Sequence, residues 1–93
     1  MEPITKKPSA AMQALMAELR VKAGNGDADA MFYLAGFLAN DAVAMQDATM
    51  LDEAERWFLE AAAKNQPVAR GFVDEAWPVA KEFFRDKIAP RAA

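Results

Sequence analysis

The sequence predicts an all-α protein, and three observations indicate this class. Alanine, the strongest helix former, is the commonest residue in the chain. Residues with β-branched side chains never occur in runs, and no segment alternates polar and apolar residues with the two-residue period of a strand. With 93 residues and a mass of 10.2 kDa, the chain fits one small domain, and we expect residues 1–93 to form it.

The first helix is predicted to begin after Ser9, because a serine hydroxyl is a favourable N-cap. Its apolar side chains recur at spacings of three and four residues: Met12, Leu15, Met16 and Leu19. We expect the helix to end at residues 24–26, with Gly24 in the left-handed C′ position. So short a break favours an antiparallel neighbouring helix.

A second helix is predicted to begin after Asp27, which is a suitable N-cap, and to end near Asn40. Its apolar side is formed by Ala30, Leu34, Ala35 and Leu38. We expect residues 41–48 to be a loop with at most one helical turn.

The third helix is predicted to open at Thr49, which forms with Asp52 a variant of the capping box. Its apolar stripe contains Leu51, Ala54, Phe58 and Ala61, with Trp57 beside it. Asn65 suits the C′ position at the end of this helix.

A fourth helix is predicted to start at Pro67, since proline is favourable in a first turn. It has the longest apolar stripe in the chain: Ala69, Phe72, Val73, Ala76, Ala80, Phe83 and Phe84. Pro78 lies within this stripe, and we expect one kinked helix, with a break at Trp77 as the alternative. The ordered core should cover about residues 8–89, with frayed tails at 1–7 and 90–93.

The composition argues against catalysis. The chain has no cysteine and no histidine, so it lacks the thiolate nucleophile, the commonest general base and the commonest metal ligands. Its only serine, Ser9, is interpreted as a helix cap, and the acidic clusters fall on polar helix faces. The sequence therefore predicts that the protein is not an enzyme and binds no cofactor and no metal.

The charge and hydropathy patterns restrict the partners. A net charge of −3 argues against nucleic acid, and no apolar run approaches the ~18 residues that span a bilayer. No hydrophobic segment of a signal peptide follows the N-terminus. We therefore expect a cytoplasmic protein that does not bind membranes.

Two segments, residues 27–35 and 54–62, resemble one Sel-one-like repeat, a subclass of the tetratricopeptide-type helical repeats. The positions that match the family pattern are Ala30, Leu34, Ala54, Trp57, Ala61 and Ala62. Ala35 replaces the usual glycine, Leu38 replaces an aromatic residue, and the Gly-rich turn between the helices is absent. An offset of 39 residues also aligns the segments that begin at Ala30 and Ala69.

The resemblance covers residues 20–77 and implies a short right-handed helical-repeat array (an α-solenoid) of antiparallel helix hairpins, with four or five helices. In such an array Trp57 would fill the space between neighbouring hairpins. The first helix of each unit would line a concave groove where partners bind.

The candidate protein-binding residues follow from the resemblance and from the positions left free by the packing pattern: Tyr33, Gly36, Phe37, Asn40, Phe72 and Glu75. Tyr33 and Phe37 are four residues apart and so share a helix face. Packing of both aromatic rings under the loop at 41–48 or under the C-terminal helix is the alternative interpretation.

The sequence thus predicts a non-catalytic protein-interaction module that binds another protein or a peptide, in the manner of an adaptor, regulator or inhibitor. The first alternative is a structural protein that forms a homodimer or larger homo-oligomer through its apolar end faces. The second alternative is a membrane or nucleic-acid contact made by the basic C-terminal side chains: Lys81, Arg85, Lys87 and Arg91.

Overall fold

A computed structural model describes residues 9–88, and every regular element in this range is helical. The elements are α1 (Ala10–Gly24), α2 (Ala28–Ala44), α3 (Ala48–Ala63), α4 (Pro67–Gly71), a π-helical segment (Phe72–Ala76) and α5 (Trp77–Lys87). The predicted all-α array of antiparallel helix hairpins is confirmed. The predicted frayed tails, residues 1–7 and 90–93, lie outside the described residues.

The N-caps of the first two helices are those expected. The Ser9 hydroxyl accepts a hydrogen bond from the Met12 amide at 3.1 Å, and the Asp27 carboxylate accepts one from the Ala30 amide at 3.1 Å. Each bond satisfies one of the amide groups that a helix N-terminus leaves without an intrahelical partner.

The three connections between helices share one backbone geometry. Each ends a helix with a residue at positive φ: Gly26 at 98°, Gln46 at 54° and Asn65 at 64°. In the first connection the Asp27 amide donates to the Lys22 carbonyl and the Gly26 amide donates to the Ala23 carbonyl, both at 3.0 Å. These two bonds define a Schellman motif. The other two connections repeat the same pair of bonds.

The expected C′ residue is correct at Asn65 and wrong at Gly24. Gly24 is the last residue of α1 with helical hydrogen bonding, and Gly26 occupies the left-handed position instead. Because the connection contains two glycines two residues apart, the sequence pattern alone fits either assignment.

The predicted loop at residues 41–48 is wrong for its first half. Helix α2 continues to Ala44, so the connection is three residues long. Ala42 is fully buried and lies four residues after the buried Leu38, which extends the apolar stripe of α2 beyond Asn40. The N-cap of α3 is Asp47 rather than Thr49, since the Asp47 carboxylate accepts from the Thr49 amide at 3.0 Å.

The helical run around Pro78 is continuous, as expected, but one turn of it is widened. The Trp77 amide donates to the Phe72 carbonyl, five residues back, which is the π-helical pattern. Ala76 and Trp77 both keep right-handed helical backbone angles, so the chain does not break at Trp77. The wide turn thus lies directly before the proline, which has no amide hydrogen to donate.

The run from α4 to α5 lies beside α2 and points in the same direction. At the start of both, the Gln66 side-chain amide donates to Asp29 Oδ1 at 3.1 Å. At the end of both, the Gln46 side-chain amide donates to the Lys87 carbonyl at 3.0 Å. Helix α3 connects the two in the opposite direction, so α2–α3 and α3–α4 are antiparallel pairs.

The core is centred on α2, which contacts α1, α3 and α5. The core side chains are those of alanine, leucine, methionine, phenylalanine and tryptophan, and the alanines allow close approach of the helix axes. The buried residues are Met16, Leu19, Ala23, Ala30, Met31, Leu34, Ala35, Leu38, Ala39, Ala42, Leu51, Ala54, Phe58, Ala61, Ala69 and Trp77.

The tryptophan inside this core is Trp77, not Trp57. Trp77 is 3% exposed, its ring centroid lies 4.7 Å from that of Phe58, and its indole N–H donates to Glu55 at 2.9 Å. Trp57 is half-buried at the edge of the core, with its indole N–H 3.3 Å from Glu53. Trp57 therefore packs against the core from its edge, and Trp77 is the tryptophan that fills the core interior.

Candidate functional site

A groove opens between α2 and the π-helical segment, with α3 beneath it. Its volume is about 330 Å³. We call it the aromatic groove, and it is lined by Phe32, Tyr33, Gly36, Phe37, Asn40, Phe58 and Phe72. None of these side chains is charged, so the groove can hold apolar groups without burying an ionised residue.

Three phenylalanines form the rigid part of the aromatic groove. The Phe32 ring lies edge-on to Phe72 at a centroid distance of 5.7 Å and to Phe58 at 5.6 Å. The Phe58 and Phe72 centroids are 4.8 Å apart, and Phe58 is 3% exposed. Edge-to-face and tilted pairs at these distances are favourable arrangements of aromatic rings, so the groove wall is well defined without a ligand.

Gly36 lowers the wall of the groove on the α2 side. A Cβ atom built at this position would meet no heavy atom within 4 Å, which leaves open space above the α2 backbone. One turn away, Tyr33 is 58% exposed, and its hydroxyl makes no hydrogen bond within residues 9–88. An exposed tyrosine beside an apolar depression is a typical anchor in protein interfaces.

The structure brings together five of the six candidate residues. Tyr33, Gly36, Phe37, Asn40 and Phe72 all line the aromatic groove. Glu75 does not line it and is exposed in the π-helical segment.

Phe37 and Tyr33 differ in their environment. Phe37 is half-buried and packs against the core, whereas Tyr33 projects into solvent. In the alternative interpretation both rings pack under a loop at 41–48 or under the C-terminal helix. The first form does not apply, because α2 remains helical to Ala44. Tyr33 is too exposed for either form, whereas the half-buried Phe37 packs against the core.

Two residues of the groove were not among the candidates. Phe58 lies on the predicted apolar stripe of the third helix, which predicts only a core position, yet it also lines the groove. Phe32 precedes Gly36 by four residues, so the i, i+4 rule places it on the same face of α2. That spacing was the available sequence signal for Phe32.

Two other depressions are larger but are lined by charged side chains. One, of about 510 Å³, lies on the outer face of α3 and includes Arg56, Trp57 and Glu60. The other, of about 480 Å³, lies between α3 and α5 and includes Glu55 and Lys81. Their charged lining residues make both weaker candidates for an apolar ligand than the aromatic groove, whose lining is uncharged.

Two carboxylates of α3 form ion pairs with neighbouring helices. The Arg20 guanidinium forms a bidentate pair with Glu53, and Lys81 Nζ lies 2.9 Å from the Glu55 carboxylate. The Arg20 hydrogen bond lowers the pKa of Glu53, and the Lys81 hydrogen bond, helped by the Trp77 indole, lowers the pKa of Glu55. These carboxylates act in helix packing and are poor candidates for acid–base chemistry.

Asp41, in the last turn of α2, has a different environment. Its Oδ2 atom is buried and has no hydrogen-bond partner, and this burial raises the pKa of the carboxyl group. Asp41 lies four residues after Phe37, close to the end of the aromatic groove.

Comparisons with protein-family models, with curated proteins and with solved structures find no match for this chain. No helix in the described range is long and apolar enough to cross a membrane. Among residues 9–88, no group of three or more acidic, histidine or cysteine side chains is placed to hold a metal ion.

Proposed function

We propose that this chain is a non-catalytic protein-interaction module that binds a protein or peptide segment in the aromatic groove. The observation that supports the proposal is the uncharged, ring-lined depression formed by Phe32, Phe58 and Phe72 beside the exposed Tyr33. Such a site can bury an apolar side chain and offers Asn40 and the Tyr33 hydroxyl for hydrogen bonds at the rim.

The same proposal includes a helical-repeat architecture for this chain. Helices α2 and α4 begin 39 residues apart, at Ala28 and Pro67, and the connections that precede them have the same hydrogen bonds. The buried Ala30 and Ala69 are also 39 residues apart. These correspondences support a Sel-one-like array in which α2 and α4 are equivalent first helices, with the groove on their shared face.

Assembly through an end face is the weaker alternative. The outer side of α3 and α5 is crossed by two ion pairs, Glu55–Lys81 at 2.9 Å and Asp52–Arg85 at 3.9 Å. The paired charges are typical of a terminal cap that faces solvent, although Val79 and Phe83 of α5 also expose apolar surface, at 72% and 58%. The cytoplasmic location predicted from the sequence stays a prediction.

The decisive experiment uses a variant that fills the groove. Leu at position 36 would occupy the space above the α2 backbone, and Gly36→Leu should not weaken the helix because leucine is a better helix former than glycine. Gly24→Leu is the matched control, since Gly24 is also helical, has nothing within 4 Å and lies outside the groove.

Peptides enriched from a random displayed library on the wild-type protein should bind Gly24→Leu with unchanged affinity and Gly36→Leu at least tenfold more weakly, that is by about 1.4 kcal/mol or more. Circular dichroism and thermal unfolding should show that both variants are folded. Enrichment of no peptide, or equal binding to Gly36→Leu, would refute docking in the aromatic groove.

A further inference from the structure

The surroundings of the aromatic groove differ in charge from the rest of the surface. Helix α2, which forms one wall, has 17 residues that include two aspartates and neither lysine nor arginine. The facing π-helical segment has Asp74 and Glu75 and no basic residue. The carboxylates on these two elements are therefore Asp29, Asp41, Asp74 and Glu75.

None of these four carboxylates forms an ion pair with another residue in the described part of the chain. Asp29 lies four residues before Tyr33, and Asp41 lies four residues after Phe37, so each shares a face of α2 with a groove residue. Asp41 is half-buried and its Oδ2 atom has no hydrogen-bond partner, so a ligand cation near the accessible part of this carboxylate would stabilise its ionised form.

Most of the basic side chains, in contrast, contact residues outside the aromatic groove. Arg20, Lys22, Lys81 and Arg85 pair with carboxylates of α1 and α3. Lys87 lies over the Phe83 ring at 5.0 Å. Arg70, the basic residue of α4, donates to the Asn65 side chain at 3.3 Å. The carboxylates on the two elements that flank the aromatic groove are therefore not neutralised by an ion pair within residues 9–88, while the groove lining itself is uncharged.

We propose that the occupant of the aromatic groove is a basic amphipathic peptide segment, in which bulky apolar anchors are flanked by Lys or Arg side chains. This inference rests on the proposed docking function and names the chemistry of the partner. The anchors enter the ring-lined depression, and the flanking cations lie over Asp29 and Asp41 at its two ends. Complementary charge of this kind speeds association and excludes partners with acidic flanks.

Three dye-labelled peptides of about 14 residues test this inference by fluorescence polarisation. They share Phe and Leu anchors at helical spacing and differ only in their flanking residues, which are Lys, Gln or Glu. The Lys peptide should bind the wild-type protein roughly tenfold more tightly than the Glu peptide at low salt, and the ratio should shrink as salt is added.

The double variant Asp29→Asn/Asp41→Asn tests whether the preference for the Lys peptide over the Glu peptide comes from these two carboxylates. Asparagine keeps an oxygen that can accept the Gln66 hydrogen bond at position 29, so the change removes charge more than structure. It should reduce the ratio of Lys-peptide to Glu-peptide affinity by about threefold or more. The matched control, Glu60→Gln/Glu82→Gln, removes the same charge from residues outside the groove and should leave the ratio nearly unchanged.

The results of these binding measurements distinguish the inference of a basic partner from the proposed docking in the aromatic groove. Equal affinity for the three peptides, with binding lost in Gly36→Leu, would overturn the basic partner and support docking itself. A Lys preference that both double variants reduce equally would also overturn it, because the preference would then reflect net charge alone. If Gly36→Leu leaves the binding of every peptide unchanged, docking in the groove and the basic partner are both refuted.

Discussion

Replacing Trp77 with alanine should be among the most destabilising single substitutions in this protein. The indole is 3% exposed and lies within ring-contact distance of Phe58, Phe72 and Phe84, at centroid separations of 4.7, 6.1 and 6.4 Å. Truncating such a side chain removes its burial energy and leaves a cavity, which costs about 3–5 kcal/mol. The change also removes one hydrogen-bond donor from Glu55.

A loss of about 3–5 kcal/mol is large compared with the total free energy of unfolding. A domain of 93 residues is expected to have a free energy of unfolding of roughly 5–14 kcal/mol. Trp77→Ala should therefore shift the urea midpoint strongly or prevent folding. Trp77→Phe keeps an aromatic ring in the cluster but loses the Glu55 hydrogen bond, and it should retain a cooperative transition at a lower midpoint.

Trp57→Ala is the matched control, because Trp57 is the other tryptophan and is only half-buried. Its cost should be about 1–2 kcal/mol, clearly below that of Trp77→Ala. Urea titrations of the two alanine variants, followed by far-ultraviolet circular dichroism, compare them directly. A larger loss from Trp57→Ala than from Trp77→Ala would contradict the packing described here.

Two further predictions concern backbone geometry and burial of charge. Gly26→Ala should lower the free energy of unfolding by about 1 kcal/mol, because Gly26 has a φ of 98°. Gly24→Ala should raise the free energy of unfolding by a similar amount, because Gly24 lies within α1 and alanine is the better helix former. Thermal midpoints of the two variants that move in the same direction would contradict this assignment. Asp41→Asn should stabilise the protein at pH 7, since a pKa raised by burial means that the ionised form weakens the fold once the pH rises above the ordinary value of 3.8. Urea titrations should show that this gain disappears near pH 3, where Asp41 is protonated, and an equal gain from Asp74→Asn, an exposed residue, would exclude burial as the cause.

Local signals in the sequence were sufficient to predict the positions of the helices, but not the end of α2. Ser9 and Asp27 were identified as N-caps because capping depends on a side chain and an amide only three residues apart. The apolar stripes likewise follow from helical spacing alone. The end of α2 was missed since Asn40 and Asp41 favour termination locally, while burial of Ala42 against the rest of the protein continues the helix.

Local spacing in the sequence was not sufficient to predict all residues of the candidate site. Four of the five groove residues of α2 could be predicted because they lie off the predicted apolar stripe of a regular helix, and Phe32 is the one that the pattern missed. The resemblance implied that Glu75 shares the binding face with Phe72, and the π-helical turn that contains both residues changes their relative rotation. The roles of Trp57 and Trp77 depend on which helices are neighbours, and no single helix pattern contains that information.

The three-residue connections have a consequence for the thermodynamics of binding. Asp27, Asp47 and Gln66 each finish the Schellman motif of one helix and cap the next, so successive helices have little freedom to move relative to each other. The rings of the aromatic groove are held on this stiff frame before a ligand arrives. A ligand would therefore lose little affinity to ordering the protein, and most of the entropic cost of association would come from the ligand itself.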